Sequence, residues 1–175
     1  MSSSDEHMNL LYRQIIMDHY QHPRNKGLTG DPAYFTVHLK NPSCGDDLSV
    51  QVRLDGDRVA DVRHIGDGCS ICCSSSSMMS ELLKGETVEQ ALATIEAFKH
   101  MASAEPYDAD LLKEAVSLHG VAELPARVKC ATLAWIAAET AIRRDAQQAD
   151  EQLTRQPAAA AAPQRPAGQD ETRTS

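Results

Sequence analysis

The chain has 175 residues, with 17 Lys and Arg against 25 Asp and Glu, a formal charge of −8. That surplus of negative charge repels phosphate backbones and argues against nucleic acid as a ligand. No apolar run reaches the roughly 18 to 20 residues that span a bilayer, and the polar start lacks the basic and apolar regions of a signal peptide, so the expectation is a cytoplasmic protein that does not engage a membrane.

Apolar residues make up 42% of the chain but aromatics only 4%, so the core must be built mainly from Ala, Leu, Val, Ile and Met. Residues 1–7 read as a flexible N-terminus. Met8, Leu11, Ile15 and Ile16 then form a helical stripe that should end before Pro23. Phe35, Val37 and Leu39 alternate with polar residues, as do Leu48, Val50, Val52 and Leu54. Asp55-Gly56-Asp57 supplies a turn, and Arg58 to Ile65 returns as a third strand.

After Gly68 the pattern turns helical. Helices are expected over Ile71 to Lys84, Thr87 to His100, Asp110 to His119, and Arg127 to about Ala146. Thr87 followed by Gln90 has the form of a capping box. Strands followed by helices predict an α+β fold, a small three-stranded antiparallel sheet with helices packed on one face. Residues 8–144 form the domain. Residues 145–175, with Pro157, Pro163 and Pro166 around an alanine run, read as a disordered tail.

Five cysteines without an export signal argue against a disulfide framework and toward metal or thiol chemistry. Cys44 lies in the loop between the first two strands, Cys69 between the third strand and the next helix, and Cys130 in the first turn of the last helix. Helix starts favour negative charge and hence thiolate. Asp46 adds a carboxylate from the Cys44 loop. Three thiolates and one carboxylate would close a tetrahedral zinc shell carrying a net −2, which Arg127 and Lys129 would offset. The wide spacing of these cysteines matches no local zinc-finger pattern, so placement alone leaves a shared site undecided.

Cys72 and Cys73 read as small buried residues, although Cys72, one turn past Cys69, would also serve as a spare ligand or resolving thiol, and would then compete with Asp46. Ser74 to Ser77 beside Met78 and Met79 suggests close packing, not a hydroxyl nucleophile. His19 and His22 read as structural or surface residues near a helix end.

Several segments together resemble the SufU family, within the NifU/IscU group of iron–sulfur cluster assembly proteins. They are Leu11-Tyr12-Arg13-Gln14-Ile15-Ile16-Met17-Asp18-His19-Tyr20, Pro23-Arg24-Asn25-Lys26-Gly27, Asn41-Pro42-Ser43-Cys44-Gly45-Asp46, Gly66-Asp67-Gly68-Cys69-Ser70-Ile71, Ser77-Met78-Met79 and Pro125 through Trp135. Lys129 stands where IscU-like scaffolds carry histidine, and the long stretch between Cys69 and Cys130 leaves room for an added helical segment. Both point to the SufU branch.

The resemblance implies a NifU/IscU-like fold and Zn²⁺ held by Cys44, Asp46, Cys69 and Cys130. It further implies a sulfurtransferase: a sulfur acceptor fed by the persulfide of a PLP-dependent, SufS-type cysteine desulfurase, with sulfur passed on to a downstream cluster-assembly scaffold. Cys44 is the expected acceptor, and Arg127 the residue expected to tune the site or meet the partner. The alternative is a scaffold that assembles a [2Fe–2S] cluster, transiently, on the same cysteines.

Overall fold

The computed structural model describes residues 2–155. In chain order these form α1 (Ser3–Gln21), β1 (Phe35–Asn41), β2 (Asp46–Asp55), β3 (Arg58–Asp67), α2 (Ser70–Leu83), α3 (Val88–Ala102), the single turn α4 (Ala109–Leu112), a 3₁₀ segment (Lys113–Glu123) and α5 (Pro125–Arg155). The strands make one antiparallel sheet in the order β1-β2-β3. Among the described residues no helix is long and apolar enough to cross a membrane.

The register decides where chemistry can be placed. Asn41 pairs with Asp46, so the β1–β2 loop is a tight hairpin tip. Asp47 pairs with Asp67, so β3 ends beside that same tip. Cys44 and the start of α2 therefore leave the sheet at one end. Gly45, at φ +71°, sits in the left-handed region that a side chain disfavours, and its N–H bonds the Asn41 carbonyl at 3.0 Å.

Leu48, Val50 and Val52 are buried at alternate positions of β2, as the alternation predicts. Gln51 on the other face is buried too, because its amide bonds Thr29 and Thr36 and so covers part of that face. Helix α5 lies across β1 and β2, and α2 lies against β3. Ala131, Ala134, Ala137, Ala138 and Ala141 are all fully buried; such small side chains let the α5 backbone approach its neighbours closely. Trp135 stacks on Phe98 with centroids 4.1 Å apart.

Four expectations need correction. The N-terminal segment is helical from Ser3, because Ser2 and Asp5 cap it: the Asp5 carboxylate accepts from the Ser2 hydroxyl at 3.0 Å and the Ser2 N–H at 3.4 Å. On α1, Ile15 and Ile16 face the core but Met8 and Leu11 stay exposed, because α1 contacts α2 and the 3₁₀ segment through its later turns. The predicted helix at Asp110 to His119 is one α-turn followed by a 3₁₀ segment. Leu112, Ala115, Leu118 and Val121 are all buried at a spacing of three, the period of the tighter helix. Finally, α5 runs on to Arg155, past the expected end of the domain at residue 144; the rest of the expected tail lies outside the described residues.

Candidate metal centre

The hairpin tip, the start of α2 and the second turn of α5 meet at one end of the sheet. One ligand atom each from Cys44, Asp46 and Cys130 lies within 4.8 Å of the other two. Cys130 is fully buried, Asp46 is buried, and Cys44 is half-exposed at the tip. The thiols of Cys44 and Cys130 both point at the Ala126 carbonyl, each at 3.6 Å.

Cys69 stands outside this mutually close trio but adjoins it. It is the N-cap of α2. Its backbone N–H donates to the Asp46 carboxylate at 3.2 Å, and its thiol acts on Cys130. Helix α5 begins at Pro125, ahead of the expected Arg127, so Cys130 falls in the second turn and not the first. Its own N–H belongs to the helix interior, not to the unpaired first turn, and the helix-start argument holds for Cys69 alone.

Burial is the first cause that pushes the Cys130 thiol far above its ordinary range, and Cys44, Asp46 and Cys69 add to it. Four acidic groups so close together cannot all ionise unless a cation compensates them. Arg127 supplies part of that compensation. It is exposed, and its guanidinium is held charged first by its hydrogen bond to Cys130 and then by the Cys69, Cys130 and Cys44 sulfurs. Lys129 is exposed and lines a shallow groove with Lys40, Pro42 and Ile136 beside the site.

Cys72 is buried, and burial with Asp46 nearby pushes its thiol up to about 12. That suits a small core residue, as the sequence suggested. Cys73 is half-buried, with its thiol on the Gly68 carbonyl at 3.7 Å. Ser74, Ser75, Ser76 and Ser77 are all buried. Ser75 bonds the Ala131 carbonyl at 2.6 Å and accepts the Trp135 indole N–H at 2.9 Å, so the serine run is packing.

Asn41 was missed as a site residue. Its buried side-chain amide donates to Asp46 at 3.4 Å and to the Cys130 sulfur at 3.8 Å. The available signal was its place at the end of the strand opposite Asp46. His19 is a buried polar residue, not a surface one, and belongs to a different cluster.

A short hairpin that carries cysteine and aspartate over a helix-borne cysteine, on a three-stranded sheet, defines a sulfur-rich metal-site domain. The chain belongs to the NifU-like N terminal domain family, whose profile matches residues 11–150. It is 42% identical over 144 residues to the zinc-dependent sulfurtransferase SufU of Bacillus subtilis, which covers 82% of this chain and 97% of that protein. It is also 42% identical over 141 residues to the iron–sulfur cluster assembly scaffold protein IscU of Streptococcus pyogenes, covering 79% and 87%. Among solved structures, an iron–sulfur cluster assembly scaffold protein for the SUF system (a SufU) from Fervidobacterium islandicum AW-1 superposes with a TM-score of 0.68 at 30% identity, covering 77% of this chain and 98% of that one.

Proposed function

We propose that this protein is a zinc-dependent sulfur acceptor that takes persulfide sulfur from a SufS-type cysteine desulfurase for iron–sulfur cluster assembly. The observation that carries the proposal is the convergence of Cys44, Asp46 and Cys130 within 4.8 Å, with Cys69 adjoining, in a chain 42% identical to a zinc-dependent sulfurtransferase.

The donor set fits the metal. Three sulfurs and one carboxylate suit a four-coordinate Zn²⁺. The pile-up of acidic groups around Cys130 is the kind of arrangement a divalent cation relieves. Cys44, Asp46, Cys69 and Cys130 would hold the ion, which when bound keeps the thiolates deprotonated at neutral pH.

The chain's own residues do the rest. Cys44 is the sulfur that meets the partner: it sits half-exposed on the hairpin tip, whereas Cys130 is buried and Cys69, equally half-exposed, is fixed as the N-cap of α2. Gly45 at positive φ gives that tip a hinge without a side chain. The Cys44 thiolate attacks the outer sulfur of the partner's persulfide. A new sulfur–sulfur bond forms on Cys44, the old one breaks, and the desulfurase cysteine leaves as thiolate, so no net oxidation occurs. Arg127 holds positive charge beside these sulfurs throughout.

The test is desulfurase turnover with zinc-loaded, metal-stripped and Cys44→Ser protein. Stimulation by the zinc form alone supports the assignment. Equal stimulation by Cys44→Ser removes Cys44 as acceptor. Anaerobic isolation with a bound [2Fe–2S] cluster in place of one zinc per chain would favour the scaffold role that the likeness to IscU suggests.

A further inference from the structure

A second ligand cluster lies on the far side of α2. Glu81 is twelve residues beyond Cys69, about 18 Å along the helix axis at the rise of an α-helix. There His19 of α1, Glu81 of α2 and Glu114 of the 3₁₀ segment each offer one ligand atom within 4.8 Å of the others. They face a cavity of about 370 Å³ that Arg24, Met78, Leu82 and Lys113 also line.

The imidazole is the unusual member. His19 is only 1% exposed. Its Nδ1 lies 2.8 Å from the Ser77 hydroxyl, which also accepts the Arg24 backbone N–H at 2.8 Å. With Nδ1 anchored inside the core, Nε2 faces the two carboxylates, 2.9 Å from Glu114 and 4.0 Å from Glu81. One Nε2 proton satisfies one carboxylate. The second lies within 4.8 Å of the first with no Nε2 proton of its own, so the pair presents two carboxylates to one incoming cation. Arg24 is close enough to feel both, but its guanidinium hydrogen bonds go to Asp18 and the His22 carbonyl.

We propose that His19, Glu81 and Glu114 form a second, thiol-free site for a divalent transition-metal ion. One imidazole and two carboxylates are the donors that Mn²⁺, Fe²⁺, Co²⁺ and Zn²⁺ accept, and two carboxylates cancel the charge of the ion. Metal–ligand bonds of about 2.0 to 2.2 Å place neighbouring donors about 3.0 to 3.5 Å apart. The observed 2.9 and 4.0 Å bracket that range. The glutamate side chains, 54% and 59% exposed, can close the difference by changing rotamer. Ser77 then accepts from Nδ1–H, which fixes the tautomer with Nε2 free to bind, and the cavity has room for water to complete the shell. Bound there, the ion ties α1, α2 and the 3₁₀ segment together.

The test uses the full chain with its thiol site already filled by zinc, and adds Mn²⁺, for which thiolates are poor ligands. Free Mn²⁺ is followed by electron paramagnetic resonance. One bound equivalent is expected, with affinity falling tenfold or more in both Glu81→Gln and Glu114→Gln while zinc content stays unchanged. Cys44→Ser should bind Mn²⁺ as the parent does, which separates this site from the sulfur-acceptor reading. Mn²⁺ binding that is equal in the parent and the double variant Glu81→Gln/Glu114→Gln, including no binding by either, overturns the proposal.

Discussion

The Asp46 carboxylate accepts the backbone N–H of Cys69 at 3.2 Å, and so joins the first residue of β2 to the N-cap of α2. One side chain thus serves the proposed zinc site and satisfies an otherwise unpaired helix N–H. Its other oxygen takes the Asn41 amide at 3.4 Å. Asp46→Ala should therefore lose zinc affinity, by roughly 10- to 100-fold or more, and also lower the melting temperature of the metal-free protein. Asp46→Asn keeps an oxygen for the Cys69 N–H but not the charge. Its amide N–H2 then faces the Asn41 donor in place of the second oxygen, so it should recover only part of the melting temperature and none of the affinity. Chelator competition and thermal melts read the two effects separately.

Gly68 precedes Cys69 at a point with no room for a side chain. A Cβ there would stand 2.6 Å from an Asp46 carboxylate oxygen and 3.2 Å from the Cys72 Cβ. Gly68→Ala should push Asp46 out of place and weaken zinc binding tenfold or more, with a smaller loss of stability, because the nearest obstacle is a side chain. Gly66→Ala meets backbone instead: the Asp47 carbonyl oxygen at 2.3 Å and the Leu48 Cα at 2.9 Å. The β2–β3 ladder must open, so this variant should lose stability outright, by about 1 to 3 kcal/mol or more in urea denaturation.

The strands were legible because Leu48, Val50 and Val52 repeat with period two against one buried face. The α3 start was legible because Thr87 and Gln90 exchange the two capping bonds, at 3.1 and 3.3 Å. The third helix was misread because Leu112, Ala115, Leu118 and Val121 carry a period of three, which is easily taken for a helix of period 3.6. The cysteines pointed to a site, but its closure depends on the Asn41–Asp46 and Asp47–Asp67 pairings, which no local spacing encodes. The role of His19 was illegible for the same reason: its partners Ser77 and Glu114 lie far along the chain, and only packing brings them together.

Ser75 is the hinge of a buried chain from the Trp135 indole through the serine hydroxyl to the Ala131 carbonyl. Ser75→Ala would leave the indole N–H without its acceptor in a site that excludes water. The expected cost is about 1 to 3 kcal/mol, the penalty for an orphaned buried donor. Combined with Trp135→Phe, the two losses should be less than additive, since the donor is then gone as well. A double-mutant cycle in urea checks the coupling.

Arg127 holds its charge beside Cys130, Cys69 and Cys44 without being buried. Arg127→Ala should leave one zinc per chain yet lower stimulation of the desulfurase several-fold, because the persulfide loses the nearby positive charge. Arg127→Lys should restore it only partly, since an ammonium lacks the guanidinium fork. Metal analysis beside turnover measurement distinguishes loss of the ion from loss of tuning.

His64 makes stability depend on pH. It lies in β3, and burial lowers its pKa below the ordinary 6.5; its Nε2–H bond to the Arg24 carbonyl at 2.7 Å opposes that shift but does not reverse it. The folded state therefore resists protonation more than the unfolded chain does. The stabilising difference is fully present above about pH 6.5 and is lost as pH falls toward the lower folded-state pKa. Urea midpoints of the metal-free protein should decline as the pH drops below that value. In His64→Gln, which keeps a donor for the Arg24 carbonyl, the decline should be shallower. A parent and variant with parallel pH profiles would show that another group drives the loss.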